Sequence, residues 1–361
     1  MQRKICRYWG YNMWTENKVF KKDLAYICSA DFVAWDKLEN STVFITGATG
    51  LIGYTLTCAL LYRNIKFNSN IKILALVRDI EKARKRFATQ LIEGCGISFI
   101  KGNLESIPVI DGDIDYIIHG AAPTASAYFV SNPVETINDI VVGTSNLLKL
   151  ARQKDIKSFL YMSSMEVYGA PHSDDLLKEE IGTTLNTMAI RSCYPEAKRM
   201  SEALCAAYSN EYNVPTKVIR LAQTFGVGVQ MDDNRVFAEF ARCAVNGHNI
   251  VLQTKGDSKR VYLYTADAVT AILVVLLLGK NGEAYNAGNE STYCSIKEMA
   301  EMVADKIANS KIEVLIKINE KSKQKFSPSH RLKLDVSKLR SLGWRPSIGL
   351  EDMYKSVLGK D

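Results

Sequence analysis

Val43-Phe44-Ile45-Thr46-Gly47-Ala48-Thr49-Gly50-Leu51-Ile52-Gly53 is the stretch on which the fold turns. An apolar run of strand length enters a turn with three glycines and leaves it as an apolar segment of helical length, Leu51 to Leu61. Gly47 permits the tight turn, Gly50 lets the backbone approach a pyrophosphate, and Gly53 allows the helix to pack closely, while the helix N-terminus favours an anion. Gly47, Thr49, Gly50, Leu51, Ile52 and Gly53 are therefore the expected phosphate-side contacts. With 22 glycines in 361 residues this spacing arises by chance about 0.1 times per chain. Its place between strand and helix favours a dinucleotide loop over a plain turn.

Outward from this loop, short apolar runs alternate with helical patterns: Ile71 to Val77, Ile97 to Ile100, Tyr116 to His119 and Phe159 to Met162. Continuous hydrophobicity suits parallel strands covered on both faces. Leu51 to Leu61 and Val134 to Ala151 have helical length between them. The repeated βαβ pattern predicts an α/β fold, a Rossmann-type doubly wound parallel sheet. Beyond about residue 224, glycines at 226, 228, 247, 256, 282 and 288 punctuate shorter segments, which predicts a smaller, mixed α/β C-terminal substrate lobe. Ser295 with Glu298 forms a capping-box signature before Met299, Met302, Val303 and Ile307. The organisation read is an extension over 1–40, a dinucleotide-binding domain over 41–224, and a substrate lobe over 225–361 interleaved with it. In the extension, Phe20, Leu24 and Ile27 recur at helical spacing near Lys18, Lys21 and Lys22, as in a short docking helix or, alternatively, a membrane-surface or partner-binding arm.

The composition, 47% hydrophobic and 24% charged, is that of a globular chain and excludes disorder and low complexity. A net charge of +7 without basic stripes argues against nucleic acid and for a small anionic ligand. The eight cysteines have no CxxC spacing, and Trp9, Asn12, Glu16 and Asn17 interrupt any signal core, so a reduced, cytoplasmic enzyme is expected. Ala268 to Gly279 is shorter than the roughly 20 residues of a bilayer span and reads as a buried helix.

Three further features carry chemistry. The second strand ends Leu76-Val77-Arg78-Asp79, without an acid where the adenosine ribose of NAD is usually held. Arg78 suits the 2′-phosphate of NADP or the adenine face; its alternative is a solvated arginine opening a basic helix. Tyr194 and Lys198, four apart at the start of a helix, share one face. A lysine ammonium near a phenol favours the phenolate, lowering its pKa for proton exchange near neutrality. About one such pair arises by chance among 17 tyrosines, so its weight comes from a polar strand end upstream, Phe159-Leu160-Tyr161-Met162-Ser163-Ser164-Met165-Glu166.

Together the glycine loop, this strand end and the Tyr-Lys pair resemble the extended short-chain dehydrogenase/reductase family, in its nucleotide-sugar epimerase, dehydratase and decarboxylase branch, over about residues 42 to 350. The resemblance implies NAD, a nucleotide-diphosphate sugar as partner, Tyr194 as base and acid, Lys198 as its electrostatic partner and ribose ligand, and Ser164 as the hydroxyl on the reacting sugar oxygen. It implies oxidation at C4 to a 4-keto sugar, which then decarboxylates, dehydrates or epimerises. Asn103 and Leu104 follow as adenine-side contacts, Ala121 and Ala122 as the wall along the cofactor, and a homodimer through two helices per subunit. Arg191 to Glu202, Arg220 to Gly226 and Asp233 to Phe237 look most like the UDP-glucuronate decarboxylase group, with Arg235 and Arg260 gripping diphosphate or carboxylate oxygens. Either arginine read alone also suits a surface ion pair.

Departures narrow the chemistry. The dehydratases resemble one another in an acid followed by a glutamate; here Met165 and Glu166 stand in those places, and a thioether donates no proton. Dehydration is therefore the least supported outcome, while Glu166 keeps proton chemistry at C5. Gln223, Glu239 and Ile140 replace asparagines common in the decarboxylase group. Four histidines without an acidic cluster predict no metal, and His119 reads as a core residue. The alternatives kept open are an NADPH-dependent 4-keto-sugar reductase, motivated by Arg78, and a catalytically idle cofactor-binding scaffold.

Overall fold

The computed structural model describes residues 17–87, 96–124, 126–230, 232–318 and 330–359. The interrupted signal core over residues 3–16, and Cys6 and Cys95, lie outside them. The chain runs through α1 (Lys18–Ser29), β1 (Thr42–Thr46), α2 (Leu51–Phe67), β2 (Lys72–Val77), α3 (Ile80–Arg86), β3 (Ile97–Lys101), β4 (Tyr116–His119), α4 (Ser126–Ser131), α5 (Pro133–Lys154), β5 (Ser158–Ser164), α6 (Cys193–Tyr212) and β6 (Thr216–Leu221). It continues through β7 (Gln223–Phe225), α7 (Val236–Asn246), β8 (Ile250–Leu252), β9 (Lys259–Tyr264), α8 (Thr265–Leu278), β10 (Glu283–Ala287), β11 (Asn289–Ser295), α9 (Ile296–Met302), β12 (Val314–Ile316), β13 (Arg331–Leu332), α10 (Ser337–Ser341) and α11 (Leu350–Val357).

Seven strands form one sheet in the order β10-β6-β5-β4-β1-β2-β3, and every pairing in it is parallel. The order reverses at β1, where successive crossovers go to opposite sides, so the crevice beyond the carboxyl ends of β1 and β4 is the ligand-binding position of a doubly wound sheet. Both faces are covered: Phe44, Ile117 and Phe159 are buried in one cluster, and Val43, Ile45 and Ile118 in another. That two-sided burial is why these strands are continuously apolar. β10 returns to the edge of this sheet part-way through a second one, in which β9 pairs with β7 from before it and with β11 and β13 from after it. β8 and β12 form a parallel pair of their own.

Helix ends follow local chemistry. α1 is capped by Asn17, whose side chain accepts from Phe20 N, and α9 carries the reciprocal capping box of Ser295 and Glu298. α8 is buried along nearly its whole length, and among the described residues no helix is long and apolar enough to cross a membrane.

The extension docks as a helix. Phe20, Leu24 and Ile27 of α1 are buried against the main core, where α1 packs on α2 and α8. Two carboxyls lie in this seam: Asp23 accepts from Tyr264 Oη at 2.8 Å, and Asp267 accepts from Tyr26 Oη at 2.9 Å and from Ser347 N at 3.0 Å. Burial, with Asp267 adding to it, pushes Asp23 up to about 7 against the hydrogen bond from Tyr264. A carboxyl whose pKa rises on folding contributes stability below its unfolded pKa, near 4, that is lost as pH rises through about 7. Asp23→Asn is therefore expected to melt with the wild type at low pH and roughly 2–5 °C above it at pH 8, read by thermal unfolding.

Candidate active site

The glycine turn is built against the end of β4. Gly47 has φ +78°, and a Cβ there would meet Gly120 C at 2.7 Å and Ala121 N at 2.8 Å. A Cβ on Gly53 would lie 2.1 Å from Gly47 O, so the first turn of α2 sits directly on the loop. Gly50 has only Gly47 O near its missing Cβ, at 3.4 Å, which leaves its backbone open to a ligand. α2 has neither a capping side chain nor an acid in its first turn, so its positive end is left for an anion.

Beneath the loop, His119 clips three elements together. Thr144 Oγ1 gives its proton to Ile140 O at 2.6 Å, so it accepts from His119 Nε2 at 3.1 Å, and Nδ1 accepts from Thr46 Oγ1 at 2.8 Å. Thr46 Oγ1 in turn accepts from Ala121 N at 3.2 Å. Burial, with the charge of Lys198 nearby, drives His119 down to about 3, so the ring is neutral and structural. Among the described residues no cluster of metal-ligating side chains occurs.

The second group gathers where β5 ends. Ser164 caps a single 3-10 turn, Met165–Tyr168, its Oγ accepting from Glu166 N at 3.2 Å. Tyr194 is the second residue of α6, with Lys198 one turn on and Glu202 another, all on one face. Ser164 hydrogen-bonds the Tyr194 phenol, and Phe129 stacks on its ring with centroids 4.3 Å apart. Lys198 Nζ donates to Met162 O at 2.8 Å and stands 5.9 Å from the centre of the Tyr194 ring. Burial lowers Lys198 to about 8, with Glu202 opposing it, so the side chain is still mostly an ammonium at neutral pH.

The phenol does not shift as the Tyr-Lys spacing predicts. Burial raises Tyr194 above the ordinary tyrosine value and the charge of Glu166 adds to this, while the Ser164 hydrogen bond and the charge of Arg235 pull it down. Desolvation of the anion outweighs the Ser164 hydrogen bond and the Arg235 charge here. The same balance shows that Glu166 and Arg235 both lie within electrostatic reach of the phenol.

Behind Lys198 is a network that the sequence reading passes over. Ser163 Oγ donates to Glu202 Oε1 at 2.5 Å, and Arg220 forks onto Glu202 with Nη2 to Oε2 at 2.7 Å. Arg220 also donates to Tyr168 Oη and to Glu179 O. The Lys198–Glu202 spacing of four was the available signal; Phe129 left none.

The remaining candidates are distributed around this centre. Arg78 is exposed at the end of β2, its charge reaching Asp139 on α5. Asn103 is exposed beyond β3, its Oδ1 accepting from Ser106 N at 2.8 Å, and Leu104 lies so close to α5 that a Cβ on Gly143 would be 2.8 Å from its Cβ. Ala121 and Ala122 line the chain after β4, and Ala122 packs against the buried cluster that holds Tyr194 and Ile140. Arg235 caps the start of α7 and forks onto Asp233, Nε to Oδ1 at 3.0 Å. Glu239 is exposed. Gln223 opens β7 opposite Tyr262, two residues from Arg260 on β9. The structure thus gathers Ser164, Tyr194 and Lys198, with Glu166 and Arg235 in the field of the phenol, and places Gln223 and Arg260 together on the small sheet, where no hydrogen bond between described residues links them to that group.

Residues 43–288 match the NAD dependent epimerase/dehydratase family. The chain belongs to this family. Its relatives include UDP-glucuronic acid decarboxylase 3 of Arabidopsis thaliana, 33% identical over 66% of this chain and 68% of the relative, and UDP-glucuronic acid decarboxylase 1 of Xenopus tropicalis, 28% identical over 87% and 70%. The fold is also that of UDP-glucuronic acid 4-epimerase from Bacillus cereus, solved with UDP-glucuronic acid and NAD (TM-score 0.71, 20% identity, 88% of this chain and 98% of that one). A dTDP-glucose 4,6-dehydratase from Bacillus anthracis, solved with NAD, is similar at TM-score 0.70, with 20% identity over 88% and 95%. The protein is an NAD-dependent enzyme of the epimerase/dehydratase family, and its glycine cradle fits that cofactor: Gly47 and Gly53 occupy positions where a side chain would strike backbone, and Gly50 leaves open space at the free N-terminus of α2.

Proposed function

We propose that the enzyme oxidises a nucleoside-diphosphate sugar at C4 and, with UDP-glucuronate, then releases the C6 carboxylate as carbon dioxide. The observation that carries this reading is the meeting of Ser164, Tyr194 and Lys198 with a guanidinium, Arg235, in the field of the phenol. NAD, when bound, supplies the hydride acceptor and donor at the carbinol carbon. Ser164 holds the C4 oxygen while Tyr194 takes its proton, and the Lys198 ammonium stabilises the phenolate. The product is a ketone β to the carboxylate. The C5–C6 bond then breaks with its electron pair moving toward the C4 oxygen, and a proton returns to C5 from the side of Glu166. Reduction of the ketone, with Tyr194 giving its proton back, closes the cycle. Met165 is buried and donates no proton, so loss of a C6 hydroxyl has no acid at that position.

The cofactor side would be held by Gly47, Thr49, Gly50, Leu51, Ile52 and Gly53, with Asn103, Leu104, Ala121 and Ala122 along its length; the substrate side by Arg235, Arg260 and Gln223. Arginine forks match diphosphate and carboxylate oxygens. The decarboxylase relatives support the choice of substrate; the epimerase of similar fold keeps inversion at C4 as the competing outcome. Incubation with UDP-glucuronate, UDP-galactose, UDP-glucose and CDP- or dTDP-sugars, with product analysis, separates them: a pentose nucleotide supports decarboxylation, a C4 epimer replaces it with inversion. Arg235→Ala is expected to raise KM for UDP-glucuronate about 10- to 100-fold, the scale of losing one charged contact, and to change KM for a neutral UDP-hexose less.

Arg78, exposed where an acid usually meets the ribose, favours a second reading, a 4-keto-sugar reductase using NADPH. The dinucleotide released on denaturing purified protein decides between them: retained NAD(H) supports the first, none together with NADPH-dependent turnover the second. We further place the reaction in the cytoplasm, in a homodimer formed through α5 and α6, whose exposed Val134, Ile137, Val142 and Met200 offer an apolar face. Light scattering tests the dimer.

A further inference from the structure

We propose that His330 is a positioning residue that, as a neutral imidazole, aims the Arg260 guanidinium at the substrate's diphosphate. This rests on the reading of Arg260 as the diphosphate grip. Arg260 Nη2 and His330 Nε2 are 2.8 Å apart, and His330 is only 8% exposed. A guanidinium has donors and no acceptor and keeps its charge at any working pH. The contact therefore uses the lone pair of Nε2, and the ring proton resides on Nδ1. The backbone fixes this arrangement: Lys259 N donates to His330 O at 2.8 Å, and the two residues that follow, Arg331 and Leu332, pair with Lys259 and Arg260 as β13 lies beside β9.

The identity of the partner matters. Arg220 is forked onto Glu202, Arg235 onto Asp233, and Arg331 is paired with Asp174, so each meets a carboxylate. Arg260 is oriented without being neutralised, and its full charge stays available to phosphate oxygens. Its Nε is buried with no partner among the described residues, a donor that a ligand oxygen would satisfy. A carboxylate at position 330 would compete with the diphosphate for the same fork.

This arrangement is sensitive to protonation. Adding a proton to His330 removes the acceptor and sets two cations 2.8 Å apart. Lys259 and Arg331 are the neighbouring cations and oppose that proton. Burial pushes the Cys294 thiol, opposite Arg260 on β11, up to about 12 and raises Tyr262, so both stay neutral. Among the described residues the nearby anions are Glu298, beyond Cys294 and occupied by its capping box with Ser295, and Asp174, paired with Arg331 and in the field of Lys259.

Calorimetry of UDP-glucose binding to the NAD-loaded enzyme between pH 5.5 and 8 tests the proposal, since this diphosphate diester has no group titrating in that range. Wild-type Kd is expected to rise by about 5-fold or more toward acid pH, while His330→Gln, a neutral acceptor at every pH, stays within about twofold. Coincident profiles would overturn the role of His330. Arg260→Ala separates the two readings: unchanged UDP-glucose affinity removes Arg260 from the diphosphate site, and His330 with it, whereas weakened affinity with coincident wild-type and His330→Gln profiles removes His330 alone. If His330→Gln does not fold, 15N NMR of the four-histidine wild type gives the answer directly. An Nδ1–H neutral ring at pH 7.5 supports the proposal, and an Nε2–H or charged ring refutes it.

Discussion

Tyr194→Phe is expected to lower kcat at least about 100-fold while leaving the fold and the retained NAD unchanged, because it removes one oxygen and nothing else. The phenol is buried, hydrogen-bonded by Ser164 and stacked on Phe129, so the phenylalanine ring fills the same space. What is lost, on the proposed mechanism, is the hydroxyl that exchanges the C4 proton beside Lys198. Burial holds the phenol above its ordinary value, so the free protein at neutral pH carries it protonated, and activity should rise with pH only until Lys198, near 8, loses the charge that stabilises the phenolate. kcat measured across pH in wild type and variant checks both points. A variant turning over at near wild-type rate would remove Tyr194 from the chemistry.

Gly53→Ala is expected to abolish the retained cofactor. The added Cβ would lie 2.1 Å from Gly47 O and 2.8 Å from Gly47 C, both backbone atoms, so the glycine turn must open or α2 must lift away. Either movement displaces the helix N-terminus from the pyrophosphate position. Gly50→Ala is the informative partner, because its Cβ meets Gly47 O at 3.4 Å and nothing else. That variant should fold normally and bind NAD more weakly, since the methyl projects where backbone would meet the ligand. Dinucleotide released on denaturation, with circular dichroism as the check on folding, distinguishes the two. Equal NAD content in wild type and Gly53→Ala would contradict the assignment of the loop.

The parallel sheet was legible because its strands are buried on both faces and therefore read as unbroken apolar runs. Tyr116 to His119 occurs as predicted, and Val43 to Thr46 gains only Thr42. Helix ends were less legible: α2 runs to Phe67 rather than Leu61, where Asn68 in the left-handed region stops it. At the site, residues joined by spacing along one helix were visible, as with Tyr194 and Lys198. Residues joined across elements were legible only where the family resemblance supplied them, as with Ser164. Phe129 reaches Tyr194 from α4, Ser163 and Arg220 meet Glu202 from β5 and β6, and His330, just before β13, reaches Arg260 from 70 residues away. The Tyr-Lys spacing predicts the opposite direction for the Tyr194 shift for a related reason. Spacing shows a neighbouring charge, whereas desolvation depends on packing that only the folded chain displays.

The most direct test of the account is to mix the purified enzyme, with no added cofactor, with UDP-glucuronate and follow both absorbance at 340 nm and the released products. Oxidation at C4 followed by decarboxylation predicts transient reduction of retained NAD, then carbon dioxide and a UDP-pentose in equal amounts, with the cofactor reoxidised. An NAD-loaded enzyme that shows neither reduction nor any product with UDP-glucuronate or the other nucleotide sugars would contradict oxidation at C4 as its reaction.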